Sequence, residues 1–191
     1  MINCLLAGVG GQGTVLASRL IAQAAMENGE MARTAETIGM AQRGGCVVSH
    51  VRTGTAVDSS LIPHGMADVI IGFEPAEAVR VLPYLKQGGT VIVAERTVSP
   101  VTNSLSGNSY TSEEMINYLK STDARVVVFD SEKACTQCGS YKVLNIALLG
   151  AAVKSGALGI SPETMKETIK KRVPEKFIKL NLMAFDIGMQ G

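Results

Sequence analysis

The chain has no tryptophan, only 4% aromatic residues, two histidines and four cysteines in 191 residues. Each scarcity excludes something. Without a set of exposed aromatics there is no stacking platform for bases. Eighteen basic residues against seventeen acidic ones give a formal charge of +1, which removes the electrostatic case for nucleic acid. No apolar run approaches the ~20 residues that span a bilayer. The longest, from Leu144 to Val153, is interrupted by Asn145 and Gly150. The first apolar run lacks a basic leader and passes straight into a glycine turn, so no signal peptide is expected. Cys4 lies inside that run as a buried thiol would, and a reducing, cytoplasmic setting is the simplest expectation.

What is present is a hydrophobic fraction of 46%, 20 glycines and 9 methionines, which describe a globular chain with many tight turns. The pattern alternates. Residues 2–7 read as a buried strand. Gly8-Val9-Gly10-Gly11-Gln12-Gly13 is a turn. The stretch from Thr14 to Asn28 is an amphipathic helix with Gly29 at its end. A short strand over residues 31–34 is expected to complete a βαβ unit. Further strands read at 47–52, 67–72, 90–93 and 125–129. A helix opens at Glu74-Pro75 with Val79, Leu82 and Leu85 as its apolar face, and Thr111 with Glu114 is a capping box. Residues 97–110, rich in Ser, Thr and Asn, read as an exposed connection. After residue 140 the chain is helical, with starts near Leu144, at Ser161-Pro162 and after Pro174. The expected fold is one α/β domain over 1–191. It is Rossmann-like, with a mostly parallel sheet, helices on both faces and a helical C-terminal third.

The turn fits the spacing G-x-G-x-x-G, which opens dinucleotide-binding βαβ units. Glu36 stands near the place of a ribose-binding carboxylate, and Arg33 near that of a 2′-phosphate reader. The spacing alone leaves three readings open: a dinucleotide site, a turn that only packs a helix on a sheet, or an anion or partner site on the same turn. Arg43-Gly44-Gly45 could meet an anionic group through the planar guanidinium fork, or Arg43 could pair with Glu36. Cys135 and Cys138 are a candidate dithiol, or two inert thiols near a helix start. His50 and His64 read as structural. The basic run from Lys166 to Lys179 reads as a solvated helix face, because Glu163, Glu167 and Glu175 are interspersed. Met26, Met31, Met40 and Met66 suit either core or partner contacts. There is no metal-ligand spacing, no Ser–His–Asp or Cys–His set, and no run of four cysteines for an iron–sulfur cluster. No catalytic residue can be assigned.

Longer motifs go beyond the glycine spacing. The turn is followed by Thr34-Ala35-Glu36-Thr37-Ile38-Gly39-Met40-Ala41-Gln42-Arg43-Gly44-Gly45. Then come Ala67-Asp68, Glu74-Pro75-Ala76-Glu77-Ala78, and Asn145 with Leu148-Leu149-Gly150. Together these resemble the gamma-type subunits of the 2-oxoacid:ferredoxin oxidoreductases, in particular the small beta subunits of the indolepyruvate ferredoxin oxidoreductases. The resemblance covers nearly the whole chain. It implies a subunit of a complex that decarboxylates a 2-oxoacid, forms acyl-coenzyme A and reduces ferredoxin. It also implies that thiamine diphosphate, magnesium and iron–sulfur clusters sit mostly on a larger partner. Gly8, Gly10, Gly11, Gln12, Gly13, Glu36, Arg43, Gly44 and Gly45 would then form a cofactor-binding or active-site wall, not a nicotinamide site.

Overall fold

A computed structural model describes residues 1–38, 45–96 and 111–191. The expected exposed connection at 97–110, and the candidates Met40, Arg43 and Gly44, lie outside the described residues.

The strands are β1 (Ile2–Val9), β2 (Met31–Ile38), β3 (Cys46–Gly54), β4 (Ala67–Gly72), β5 (Leu85–Ala94) and β6 (Arg125–Phe129). They form one sheet in the order β2-β3-β1-β4-β5-β6. Pairs β1–β4, β4–β5 and β5–β6 are parallel, while β3 runs antiparallel to both β1 and β2. The sheet is thus mostly parallel, as expected, with one correction. The strand after the first helix does not lie beside β1. It pairs with β3, residue for residue from Met31↔Gly54 to Ile38↔Val47, and forms the sheet edge. Its sequence, Met-Ala-Arg-Thr-Ala-Glu-Thr-Ile, is more polar than the inner strands, as an edge requires. β1 and β4, covered on both faces, are near-continuous apolar runs.

Seven helices are found among the described residues: α1 (Thr14–Glu27), α2 (Pro75–Arg80), α3 (Ser112–Lys120), α4 (Ser131–Cys138), α5 (Leu144–Lys154), α6 (Pro162–Arg172) and α7 (Glu175–Gln190). Strand alternation sends successive side chains to opposite faces, so β1 feeds two cores. Cys4 and Leu6 join Val69, Ile71 and Ile92 under Leu20 of α1, Leu148 of α5, Ile169 of α6 and Phe185 of α7. Leu5 and Ala7 join Ile70, Val91 and Val93 under Ala78 of α2 and Leu119 of α3.

The caps follow the sequence. Thr111 and Glu114 form the full capping box, Ser161 caps α6, and Glu74 caps α2 ahead of Pro75. Gly29, at φ +82°, ends α1 with its N–H on Met26 O and that of Glu30 on Ala25 O. One expectation shifts. α2 stops at Arg80, and Leu82–Tyr84 is a tight 3₁₀ turn around Pro83. Its buried apolar side chains are therefore Ala78 and Val81, while Val79, Leu82 and Leu85 are partly covered. In α7, Phe177 is 45% exposed, and the buried face is Asn181, Ala184, Phe185 and Gly188.

His50, buried on β3, accepts the Ile62 N–H at Nδ1 (3.2 Å) and meets Tyr84 edge-on, while His64 stacks on the same ring at 4.1 Å. Both histidines thus serve packing. The first half of the basic run is paired: Lys166 with Asp186, Lys170 with Glu167, Lys171 with Glu27, and Arg172 donating to Gln23.

α5 and α7 cross closely, and glycine makes the crossing possible. A Cβ on Gly188 would stand 1.9 Å from Ala147 O, and one on Gly150 2.3 Å from Phe185 O, both rigid helix carbonyls. Gly188→Ala should lower stability by about 3 kcal/mol, read as a shifted urea midpoint, because neither backbone can yield without separating the helices. Burial also holds the His50 imidazole below its ordinary value near 6.5. In that window the unfolded chain binds the extra proton, so stability should fall as pH drops below 6.5. Denaturation of His50→Gln between about pH 5 and 7 should show a shallower slope than the parent.

Candidate functional site

The site is assembled at the C-terminal ends of the parallel strands, where β1 passes into the glycine turn. Each turn residue has a different neighbour. Gly8 is in close contact on two sides: a Cβ there would stand 2.6 Å from Gln12 Oε1 and 2.9 Å from Phe73 Cβ. Gln12 folds back over the turn, its Oε1 accepting the Val9 N–H at 2.8 Å. Gly10 donates its N–H to Gly45 O at 2.9 Å, tying the turn to the entrance of β3. Gly13 takes φ +80° as the residue before α1, and a Cβ would stand 2.6 Å from Asn145 Nδ2. Asn145, buried near the start of α5, donates to Gly13 O at 3.3 Å and accepts the Ile146 N–H at 2.9 Å. Gly11, at φ +97°, is different, since nothing lies within 4 Å of where its Cβ would be.

Three stretches far apart in sequence therefore meet: residues 8–13, Gly45 and Asn145. The strand order explains the meeting. Because β3 is antiparallel to β1, it begins where β1 ends, with Val9 opposite Cys46. The same order separates Glu36 from the turn. Glu36 lies on β2 opposite Ser49 and faces α1, with Arg19 Nε 3.9 Å away. Two strand spacings, about 10 Å, lie between β2 and β1. A ribose-binding carboxylate belongs on the strand next to β1, so Glu36 does not reproduce the dinucleotide geometry. Arg33 points away from α1 and donates to Val57 O at 2.7 Å.

On the other side of the turn stands α2. Phe73 N–H donates to Ala7 O at 2.8 Å, placing Glu74 directly after the end of β4. Glu74 is 1% exposed and accepts the Glu77 N–H, while Glu77 pairs with Arg80 at 3.3 Å. The Cys46 thiol is pushed up to about 12, first by burial and then by the neighbouring Glu77 carboxylate.

A cleft of about 380 Å³ opens beside the turn, lined by Gly11, Gln12, Arg96, Tyr141, Lys142 and Leu144. The Arg96 guanidinium lies 4.2 Å from the centre of the Tyr141 ring. No periodicity marks Arg96, Tyr141 or Lys142 in the sequence, and only the fold gathers them. Asn145 stood among the longer motifs, but its contact with Gly13 spans 132 residues and has no local signal. A cleft of about 430 Å³ runs along α1 against β2, past Leu16, Arg19, Met26 and Thr34, and includes none of the turn residues.

Cys135 and Cys138 lie in the last turn of α4, not near its start as the sequence suggested. Burial pushes the Cys135 thiol up to about 11, with Cys138 adding to the shift. This is the opposite of an activated thiol. Among the described residues no group of three or more His, Cys, Asp or Glu side chains is placed to hold a metal ion, and no helix is long and apolar enough to cross a membrane.

Comparison with known proteins places this arrangement. Residues 3–191 match the family described as pyruvate ferredoxin/flavodoxin oxidoreductase. The chain is 38% identical over 190 residues to indolepyruvate oxidoreductase subunit IorB of Pyrococcus horikoshii, covering 98% of this chain and 94% of that one. Against the subunit of the same name from Thermococcus kodakarensis it is 37% identical over 190 residues, with coverage of 98% and 94%. The structure overlays the gamma subunit of a keto/oxoacid ferredoxin oxidoreductase from Geobacter sulfurreducens with a TM-score of 0.74 and 25% identity, covering 100% of this chain and 97% of that one. Similarity of this extent, over a turn held by the same motifs that first suggested it, means that the chain belongs to the pyruvate ferredoxin/flavodoxin oxidoreductase family, as a gamma-type small subunit of a 2-oxoacid:ferredoxin oxidoreductase.

Proposed function

We propose that this subunit serves an aryl-pyruvate oxidoreductase, with indolepyruvate as the representative substrate. The observation that carries this reading is the identity of 38% to an indolepyruvate oxidoreductase subunit over nearly the full length of both chains. The complex would cleave the 2-oxoacid oxidatively, pass the acyl group to coenzyme A and deliver two electrons to ferredoxin. A larger partner subunit would hold thiamine diphosphate, magnesium and the iron–sulfur clusters. The donor set of this chain suits that division. Cys4 and Cys46 stand on different strands, and Cys135 and Cys138 on α4, whereas a four-iron cluster takes four converging thiolates. In this reading residues 1–191 act as one domain in the cytoplasm, inactive alone. Gly8, Gly10, Gly11, Gln12, Gly13, Glu36, Arg43, Gly44 and Gly45 contribute a wall to a site that the partner completes. Glu36, on the α1 side of β2, would lie at the margin of that wall.

Co-expression with the larger subunit of the same organism tests the assignment. The two chains should purify together and reduce ferredoxin with indolepyruvate and coenzyme A, and the small chain alone should not. Failure to bind any thiamine-binding subunit from that organism would sink the idea. A thiol-redox role predicts something else. With burial raising the thiols of Cys4, Cys46, Cys135 and Cys138, alkylation of the folded chain near neutral pH should be slow and without a fast phase. The double variant Cys135→Ser, Cys138→Ser should keep the activity of the complex.

A further inference from the structure

The cleft of about 430 Å³ along α1 takes its walls from three distant parts of the chain. Leu16, Leu20 and Met26 share one face of α1, with Arg19 and Gln23 between them. Ala32 and Thr34 come from β2, two residues apart and so on the same side of that strand. Arg172, the last residue of α6, closes the third side. From Leu16 to Met26 the helix rises about 15 Å, long enough to lay a small ring system against it. The volume is that of a small-molecule site.

Two features set this cleft apart from ordinary surface. Its apolar side chains stand partly in solvent, Leu16 at 39% and Met26 at 47% exposure. They are not scattered, since both border the same cavity. Two guanidinium groups border it as well. Arg19 has only a loose ion pair, 3.9 Å from Glu36. Arg172 has no carboxylate within ion-pair distance among the described residues, and donates instead to the neutral Gln23 amide. The carboxylate one turn along α1 from Gln23 is Glu27, and it is already held by Lys171 and Thr168. The charge of Arg172 is thus left without a counter-charge at the edge of an apolar cleft.

We propose that this cleft binds a small aromatic carboxylate, its ring along Leu16, Leu20 and Met26 and its carboxylate on Arg172. The planar fork of arginine matches the two oxygens of one carboxylate. One uncompensated guanidinium calls for a single negative charge, because a dianion would also have to take Arg19 from Glu36. A ring suits the walls. The Met26 thioether packs well against an aromatic edge, and a guanidinium stacks on an aromatic face. The site includes no residue of the glycine turn, and only the choice of an indole ring for the probe rests on the aryl-pyruvate reading.

Indoleacetate is a direct probe, because a chain without tryptophan leaves indole fluorescence unobscured. Titration of the full-length chain should change the indole emission saturably, with one site per chain. Arg172→Gln should weaken binding about tenfold. Thr34→Phe, at an exposed strand position that tolerates an aromatic, should fill the cleft and remove the saturable signal. Indole itself, which lacks the carboxylate, should bind at least about tenfold more weakly than indoleacetate, a comparison that needs no variant. Lys120→Gln, on α3 across the sheet, should bind like the parent. No saturable change with the parent, undiminished binding by Arg172→Gln or Thr34→Phe, equal binding of indole, or equal loss in Lys120→Gln would each overturn the proposal. None of these readings involves the larger subunit, so failure here and failure to co-purify are separate results.

Discussion

The antiparallel placement of β3 between β1 and β2 is the constraint on which the rest of the arrangement depends. Had β2 paired directly with β1, the turn after β1 would sit beside the end of β2, and a carboxylate near Glu36 would be in reach of a ribose. With β3 inserted, the entrance of β3 takes that place. Gly45 O then accepts the Gly10 N–H, and Val9 lies opposite Cys46. A single change of strand order converts a phosphate loop of familiar spacing into a junction of two chain segments. The parallel half of the sheet, β1-β4-β5-β6, is unaffected and still directs its strand ends to the same side.

The glycines of the turn take their meaning from that junction. Gly8 is small because Phe73 and Gln12 press on it, and Gly13 because Asn145 does. These are internal contacts, which a dinucleotide fingerprint would assign to a ligand. Gly11 has open space before it, and it lines the cleft with Arg96 and Lys142. α1 adds to this side of the molecule the positive end of its dipole, with no acidic residue in its first turn and no side-chain cap. A turn locked from within at Gly8 and Gly13 is a rigid support. It does not have to reorganise when a partner or a ligand arrives.

Much of the fold was legible because the signals are local. β6 runs from Arg125 to Phe129 as its apolar run implies, and the capping box at Thr111 forms in full. The failures have separate causes. That β2 pairs with β3 is a long-range choice, and the period of a strand does not say which neighbour it takes. α2 ends early because Pro83 breaks a run that helical spacing would extend. α4, short and capped by Asp130, has too weak an apolar period to announce itself, so the cysteines at its end were misplaced. The site was legible only in part. Gly8 to Gly13 and Asn145 could be named from motifs, but their contact could not. Arg96, Tyr141 and Lys142 come from the end of β5 and the entry to α5, and no spacing rule links them.

The chemistry the chain lacks follows from the same architecture. Several of its buried polar groups hold elements together: Asn145 on the turn, His50 on the loop at Ile62 and Glu74 on the start of α2. Its thiols are held protonated by burial. A reacting site needs groups whose protons or electron pairs are free to be used, aimed at a common point. Among the described residues Arg96, stacked on Tyr141, and Lys142 face one cavity beside the turn. Such a set can position a substrate for chemistry performed by another chain. A wall contributed to a site that a partner completes, as proposed above, needs no more than this.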